Sequence, residues 1–94
     1  MRIDRFLFFV RLARTRGIAQ DMVRAGGYRI DGRPVLSAHS ELRPGQTLTF
    51  VENGTVRAIE ILSLPRRRGP AAEARLHFRD RLGQQPIDAG AGDL

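Results

Sequence analysis

A pair of glycines, Gly26 and Gly27, separates two segments with different hydrophobic periods. Upstream, from Thr15 to Ala25, apolar residues recur at the three- and four-residue spacing of a helix. Downstream, two short segments flank Asp31-Gly32, a dipeptide typical of a two-residue β-hairpin because both central positions need positive φ. Glycine accepts the left-handed conformation that ends a helix. The stretch from Thr15 to Val35 therefore predicts a helix that runs through a sharp glycine turn into a hairpin.

Two helices are expected before the glycine pair. From Ile3 to about Ala13 the apolar side chains share one broad face at about 100° per residue, and this face should belong to the core. Thr15 is suited to cap a second helix, because its hydroxyl can accept a hydrogen bond from a free backbone N–H of the first turn. This second helix, Arg16 to Ala25, has a packing arc of Ile18, Ala19, Met22, Val23 and Ala25 and an outward ridge of Arg16, Gln20 and Arg24.

A second hairpin is predicted around Asn53-Gly54, between strands at residues 47–51 and 55–62. A type II turn at residues 43–46, with proline in the second position and glycine in the third, leads into it. The alternation of apolar residues fixes the register, and the apolar face should close over the helices. This register pairs Val51 with Val56, Leu48 with Ile59 and Thr47 with Glu60.

The remaining residues predict a basic connector, a short helix and a tail. Pro65 should end the last strand, and Pro70 is suited to the first turn of a helix that runs to about Leu82. Residues 83–94 have too few apolar side chains to order themselves, so a mobile tail is expected. The predicted fold class is α+β, with one domain at residues 1–64, a basic connector and short C-terminal helix at residues 65–82, and the tail at residues 83–94.

Composition excludes several classes of function. The chain has no cysteine, which excludes disulfides, thiolate metal sites and cysteine nucleophiles. Its two histidines, His39 and His77, fall in no metal-binding spacing, and no phosphate-binding loop, nucleophile elbow or dinucleotide fingerprint occurs. No apolar run approaches the roughly 20 residues that a membrane span needs. We therefore expect a cytoplasmic, non-enzymatic protein without catalytic residues, metal, cofactor or membrane association.

The positive charge is concentrated in two blocks. The formal net charge is +6, and all 16 basic residues are arginine. Residues 1–35 carry eight arginines and three aspartates, a net of +5, and residues 66–82 carry six arginines and two acidic residues, a net of +4. Such blocks are typical of proteins that contact a phosphate backbone, because a guanidinium donates two parallel hydrogen bonds to phosphate. The alternative is a solvated polar surface in which genome composition favours arginine.

The stretch RIDRFLFFVRLARTRGIAQDMVRAGGYRIDGRPV resembles the S-four RNA-binding domain, also called the αL motif. The resemblance covers about Arg2 to Leu64, and the later stretch RRRGPAAEARLHF is similar to the segment beyond this domain in the ribosome-associated fifteen-kilodalton heat-shock proteins. It implies two packed helices followed by a small bent antiparallel sheet, with RNA held by the second helix and the first hairpin. Arg14, Thr15 and Arg16 match the family's basic and hydroxyl residues at the start of that helix. Asp31-Gly32 stands where the family usually has asparagine and glycine.

The charge pattern and the resemblance together predict the partner and its contacts. The partner is expected to be structured ribosomal or transfer RNA, in particular the large ribosomal subunit, bound by a monomeric heat-shock or quality-control factor. The expected RNA contacts are Arg2, Arg5, Arg11, Arg14, Thr15, Arg16, Gln20, Arg24, Arg29, Asp31, Gly32 and Arg33, with Arg66, Arg67 and Arg68 as a secondary basic patch.

Two other functions fit the sequence. Phe8 and Leu12 fall outside the main apolar stripe of the first helix, and if left uncovered they would offer a contact face to a partner protein. We expect instead that Phe8 packs under the C-terminal segment. The second alternative is a targeting domain that works with a separate RNA-modifying enzyme.

Overall fold

The computed structural model describes residues 1–86, with side-chain environments through Arg81. Its helices are α1 (Ile3–Phe9), α2 (Arg16–Arg24) and α3 (Ala71–Ala74), and a 3₁₀ turn at Arg75–His77 follows α3. Within residues 1–86, none of the helices is long and apolar enough to cross a membrane. The strands are β1 (Arg29–Ile30), β2 (Arg33–Pro34), β3 (Thr47–Glu52), β4 (Thr55–Ile61) and β5 (Phe78–Pro86). They form an antiparallel sheet in the order β2-β1-β3-β4-β5, which confirms the predicted α+β fold.

The glycine turn and the first hairpin have the predicted backbone. Gly26 and Gly27 have φ angles of 92° and 90° and follow the end of α2 directly after its cap residue. Asp31 and Gly32 have φ angles of 50° and 83°, the positive values that a two-residue turn between β1 and β2 requires. The backbone conformations of these four residues therefore set the direction of the hairpin relative to α2.

The hairpin of β3 and β4 has the predicted register. Val51 lies opposite Val56, Leu48 opposite Ile59 and Thr47 opposite Glu60. Leu48 and Ile59 have no exposed surface, and they join one buried cluster with the apolar residues of α1. The α1 side chains with no exposed surface in this cluster are Ile3, Phe6 and Leu7. The core thus lies between α1 and the apolar face of the sheet.

The first helix is shorter than predicted, since α1 ends at Phe9 instead of near Ala13. Arg11 takes a φ of 65°, a left-handed value that interrupts the helical hydrogen-bond ladder. The backbone N–H of Ala13 then donates to the carbonyl of Leu7 at 3.1 Å and closes a compact turn. Val10 and Ala13 are still buried, because this turn folds back over the same core.

A short C-terminal helix is present, but α3 ends at Ala74 instead of near Leu82. Phe78–Pro86 form β5, which pairs with β4. Two features favour a strand here: Phe78 packs into the core with 8% of its surface exposed, and the open edge of β4 offers backbone hydrogen-bond partners. Residues 83–86, assigned to the tail by the sequence, belong to β5. The rest of the predicted tail, residues 87–94, lies outside the described residues.

Candidate nucleic-acid interface

The start of α2 is fixed by Thr15. This residue has extended backbone angles (φ −138°, ψ 164°), and its Oγ1 accepts a hydrogen bond from the backbone N–H of Ile18 at 3.0 Å. The predicted N-cap is thereby confirmed. Arg14 and Arg16 lie on either side of Thr15, at a helix end where free N–H groups and the helix dipole already favour an anion.

A buried carboxylate joins α1 to the start of α2. Asp4 has no exposed surface, and Arg2 donates to it from Nε at 3.1 Å and from Nη2 at 2.7 Å. Gln20 donates to it from Nε2 at 3.1 Å, so its side chain turns inward although the sequence predicted an outward one. The backbone N–H of Arg5 donates at 2.8 Å, and Nη2 of Arg16 lies 3.6 Å away. Two arginines predicted to contact RNA are thus gathered around Asp4.

This environment keeps Asp4 ionised. Burial by itself would raise the pKa of its carboxyl group. Hydrogen bonds from Arg2 and Gln20, the charge of Arg2 and the backbone N–H of Arg5 outweigh burial and lower the pKa below its ordinary value of 3.8. Because one carboxylate faces the two guanidinium groups of Arg2 and Arg16, the cluster keeps one net positive charge. Both arginines are partly exposed, so this charge faces solvent.

Two more exposed arginines lie just before α2 and at its last residue. Arg14 is exposed and forms no ion pair with any group among residues 1–86. Arg24 is 65% exposed and pairs with the exposed Asp21 at 3.5 Å, across one turn of the helix. Exposed ion pairs of this kind contribute little stability, so Arg24 can exchange Asp21 for a phosphate at small cost.

The packing arc of α2 is narrower than predicted. Ala19 and Val23 are buried and Met22 is partly buried, but Ile18 and Ala25 are exposed. The helix has nine residues, and the part of it that faces α1 is covered. Ile18 therefore adds an apolar contact point to a surface that is otherwise polar.

The hairpin contributes two arginines and a recess. Nη1 of Arg29 donates to the carbonyl of Gly32 at 3.1 Å, which holds this side chain along the hairpin. Arg33 is exposed, and within the described chain it forms no ion pair. The carboxylate of Asp31 bonds to the backbone of β3 and so serves the fold. A cavity of about 330 Å³ beside the hairpin has Arg33 and Gln46 among its lining residues.

Arg5 and Arg11, two more of the predicted RNA contacts, also have partners within the protein. The guanidinium of Arg5 lies 5.3 Å from the ring centre of Phe9, in a cation–π contact. Arg11 donates from Nε to the carbonyl of Gly69 at 2.6 Å, which ties the turn after α1 to the basic connector. Arg11 also lines a second recess, of about 550 Å³, between this turn and β5.

The basic connector contains one inward-facing and two outward-facing arginines. Arg68 donates from Nη1 to the carbonyls of Phe8 and Ala13, the latter at 3.0 Å, and its guanidinium lies 4.5 Å from the Phe8 ring centre. It thereby joins the end of α1 to the turn that follows it. Arg67 is exposed and pairs with Glu73 at 3.2 Å, and Arg66 is exposed. Of the predicted secondary patch, Arg68 is therefore a structural residue.

The contact with Arg68 also covers Phe8, as the sequence predicted. Phe8 and Leu12 are both half-buried, and Leu12 packs against the core. This arrangement reduces the uncovered apolar face on which a protein-interaction module would depend.

Asp4 was not indicated by the sequence reasoning. The pattern that could have pointed to Asp4 is an acidic residue in the first turn of a helix. Arg2 and Arg5 lie close to it in the chain, as do the apolar Ile3 and Phe6. An acidic residue is common at that position because it favours the helix dipole, so the pattern alone indicates a surface residue. The packing of α2 against α1 is what buries it.

Comparisons with known proteins agree with this geometry. The family model of the S4 domain matches residues 1–48 of the 94-residue chain, which include α1, α2 and the first hairpin. No curated protein matches the chain significantly. The fold is similar to that of heat shock protein 15 from Vibrio cholerae, whose trimeric structure was solved at 2.3 Å resolution, with a TM-score of 0.80, 24% sequence identity and coverage of 87% of this chain and 82% of that chain. The match over half of its length and the arrangement of α1, α2 and the β1 to β2 hairpin show that this chain belongs to the S4 domain family.

Proposed function

We propose that this protein binds structured ribosomal or transfer RNA with α2 and the β1 to β2 hairpin. The observation that carries the proposal is the placement of arginines at the start of a capped helix, along its outward side and on the hairpin that follows it. We name this set the RNA surface, and it consists of Arg14, Arg16, Arg24, Arg29 and Arg33. Membership of the S4 domain family supports the same proposal.

The chain connectivity keeps the two halves of this surface together. Arg24 ends α2 and Arg29 begins β1, so five residue steps separate them and their Cα atoms lie within about 18 Å even for an extended chain. Successive phosphates along one strand of a duplex are a few ångströms apart, so one backbone segment can reach both. Because guanidinium groups suit phosphate oxygens, we expect contacts to the backbone and to A-form shape, with few base contacts.

The resemblance of the sequence to the ribosome-associated fifteen-kilodalton heat-shock proteins suggests a finer assignment. We propose a non-enzymatic, cytoplasmic factor that associates with the large ribosomal subunit in a heat-shock or quality-control role. The similarity in fold to a heat shock protein supports this assignment. We propose that the active form is a monomer, and light scattering after gel filtration, with and without RNA, would detect a trimer such as the one reported for the Vibrio cholerae protein.

Salt dependence of RNA binding tests the proposal. If the five arginines of the RNA surface neutralise five phosphates, log affinity should fall with log salt concentration with a slope of about −3.5 to −4.5. Filter binding to purified large-subunit ribosomal RNA measures this slope. Arg16→Ala and Arg24→Ala should each weaken binding, reduce the steepness of the slope by about one unit, and leave the fold intact.

The matched control is Arg79→Ala, which removes the same charge at the opposite edge of the sheet. Arg79 is 65% exposed on β5, and its partner Glu60 also pairs with Arg81, so the substitution leaves no lone carboxylate. Its effect on RNA affinity should be small. A slope near zero for the wild type, or equal losses for Arg79→Ala and Arg16→Ala, would contradict the proposed surface.

A further inference from the structure

We propose that Asp4 is a positioning residue that orders the side chain of Arg16 before RNA arrives. This inference rests on the proposed RNA surface and adds to it a residue that never touches the ligand. Asp4 lies on α1 with no exposed surface, whereas Arg16 lies in the first turn of α2 and is 43% exposed. A contact between them therefore links the inside of the domain to its binding face.

The hydrogen bonds of Asp4 explain how it can attract Arg16 without accepting hydrogen bonds from the Arg16 guanidinium. A carboxylate has about four acceptor positions, and Asp4 accepts four hydrogen bonds, from Nε and Nη2 of Arg2, from Gln20 and from the backbone of Arg5. Arg16 lies just outside hydrogen-bond range at 3.6 Å. Coulomb attraction therefore keeps its guanidinium near the start of α2, while its N–H groups stay free to donate to a phosphate.

A comparison of Arg14 with Arg16 shows what the nearby Asp4 contributes. Arg14 flanks Thr15 on the other side, is exposed, and has no ion pair among residues 1–86. A free arginine loses conformational entropy when it is fixed on a ligand, whereas an arginine already held in place loses less. Arg16 is thus the preordered arginine of the pair at this helix end, and Asp4 supplies the order.

Asp4→Asn separates positioning from net charge because the two effects have opposite signs. The substitution removes a negative charge and raises the formal net charge from +6 to +7, so long-range electrostatics alone predicts tighter RNA binding. Loss of positioning predicts weaker binding. The matched control is Asp21→Asn, which adds the same charge on α2 but removes only an exposed partner, 78% accessible.

Affinity for purified large-subunit ribosomal RNA at fixed salt should fall about three- to tenfold for Asp4→Asn, the cost of ordering one long side chain on binding. Asp21→Asn should bind as tightly as the wild type or more tightly. In an Arg16→Ala background, Asp4→Asn should weaken binding much less, because the group it positions is gone. Asp4→Asn binding as tightly as Asp21→Asn, or an undiminished loss in the Arg16→Ala background, would overturn the proposal.

A second measurement needs no substitution and applies even if Asp4→Asn does not fold. In the wild-type protein without RNA, NMR relaxation of the arginine Nε–Hε groups should show ordered side chains for Arg2 and Arg16 and a mobile one for Arg14. Equal mobility of Arg14 and Arg16 would overturn the positioning role. If the wild type fails to bind RNA with a salt-dependent affinity, the proposed function fails instead, and this relaxation result still stands by itself.

Discussion

Asp31 and the backbone of Thr47 are joined by two hydrogen bonds that run in opposite directions. Oδ1 of Asp31 accepts from the N–H of Thr47 at 2.9 Å, and the N–H of Asp31 donates to the carbonyl of Thr47 at 2.9 Å. These bonds attach the tip of the first hairpin to the beginning of β3. The carboxylate oxygen at this tip therefore has a structural role as a hydrogen-bond acceptor.

Asp31→Asn should raise RNA affinity without changing stability. The asparagine side chain keeps an oxygen acceptor for the Thr47 N–H and tolerates the φ of 50°, while a negative charge leaves the neighbourhood of Arg29 and Arg33. The free energy of unfolding should change by less than about 0.5 kcal/mol. Asp31→Ala removes the acceptor and should lower it by about 1–2 kcal/mol. Urea denaturation and filter binding of both variants check these outcomes, and a loss of affinity in Asp31→Asn would indicate that the carboxylate itself takes part in binding.

Arg68→Lys should destabilise the domain even though it keeps the charge. Lysine cannot donate to the carbonyls of Phe8 and Ala13 and stack on the Phe8 ring in the same planar geometry. The expected loss in the free energy of unfolding is about 1–3 kcal/mol, typical of hydrogen bonds to a charged group. Arg66→Lys, at an exposed neighbouring position, is the control and should stay close to the wild type. Equal stability of the two variants would show that Arg68 does not hold the turn after α1.

Tyr28 should ionise only in strong base. Burial, and to a smaller degree the charge of Glu52, raises the pKa of its phenol from 10.0 to about 12. The folded state holds this proton more tightly, so the associated stability is complete below pH 10 and is lost as the pH rises towards 12. Because the chain has one tyrosine, the ultraviolet absorbance of its phenolate reports on this residue alone. A midpoint near 10 under native conditions would show that the ring is not packed on Phe50 as the structure has it.

The stability contributed by Asp4 should disappear in acid. Its pKa is lower in the folded protein than the ordinary value of 3.8, so its contribution is complete above that pH and is lost as the pH falls below it. The difference in unfolding free energy between the wild type and Asp4→Asn should therefore narrow as the pH is lowered through this range. Denaturation curves at neutral pH and below 3.8 measure it, and a constant difference would mean that the carboxylate is not ionised in the native state.

The features that the sequence predicted correctly depend on residues close together in the chain. The glycine turn, the Asp31-Gly32 hairpin and the register of β3 with β4 each follow from a few neighbouring residues whose backbone preferences are strong. The cap by Thr15 is local in the same way. The family resemblance extended these local predictions to a fold.

The features that the sequence did not predict depend on contacts between distant segments. Arg68 reaches Phe8 across 60 residues, and no local pattern distinguishes it from the exposed Arg66 and Arg67. The inward turn of Gln20 requires Asp4 on another helix. The strand at Phe78–Pro86 forms because β4 has a free edge, which local propensity does not report.

The two glycines between α2 and β1 have more room than their conformation suggests. A Cβ atom added to Gly26 or Gly27 meets no atom within 4 Å other than those of its chain neighbours, yet both residues have φ near +90°. The obstacle to a side chain is therefore the handedness of the residue and not lack of space. A D-alanine introduced at either position by chemical synthesis should adopt this φ without backbone strain, and by restricting the unfolded chain it should stabilise the domain by about 0.4–1 kcal/mol. This connection between helix and hairpin therefore disfavours L-residues through backbone conformation and not through crowding.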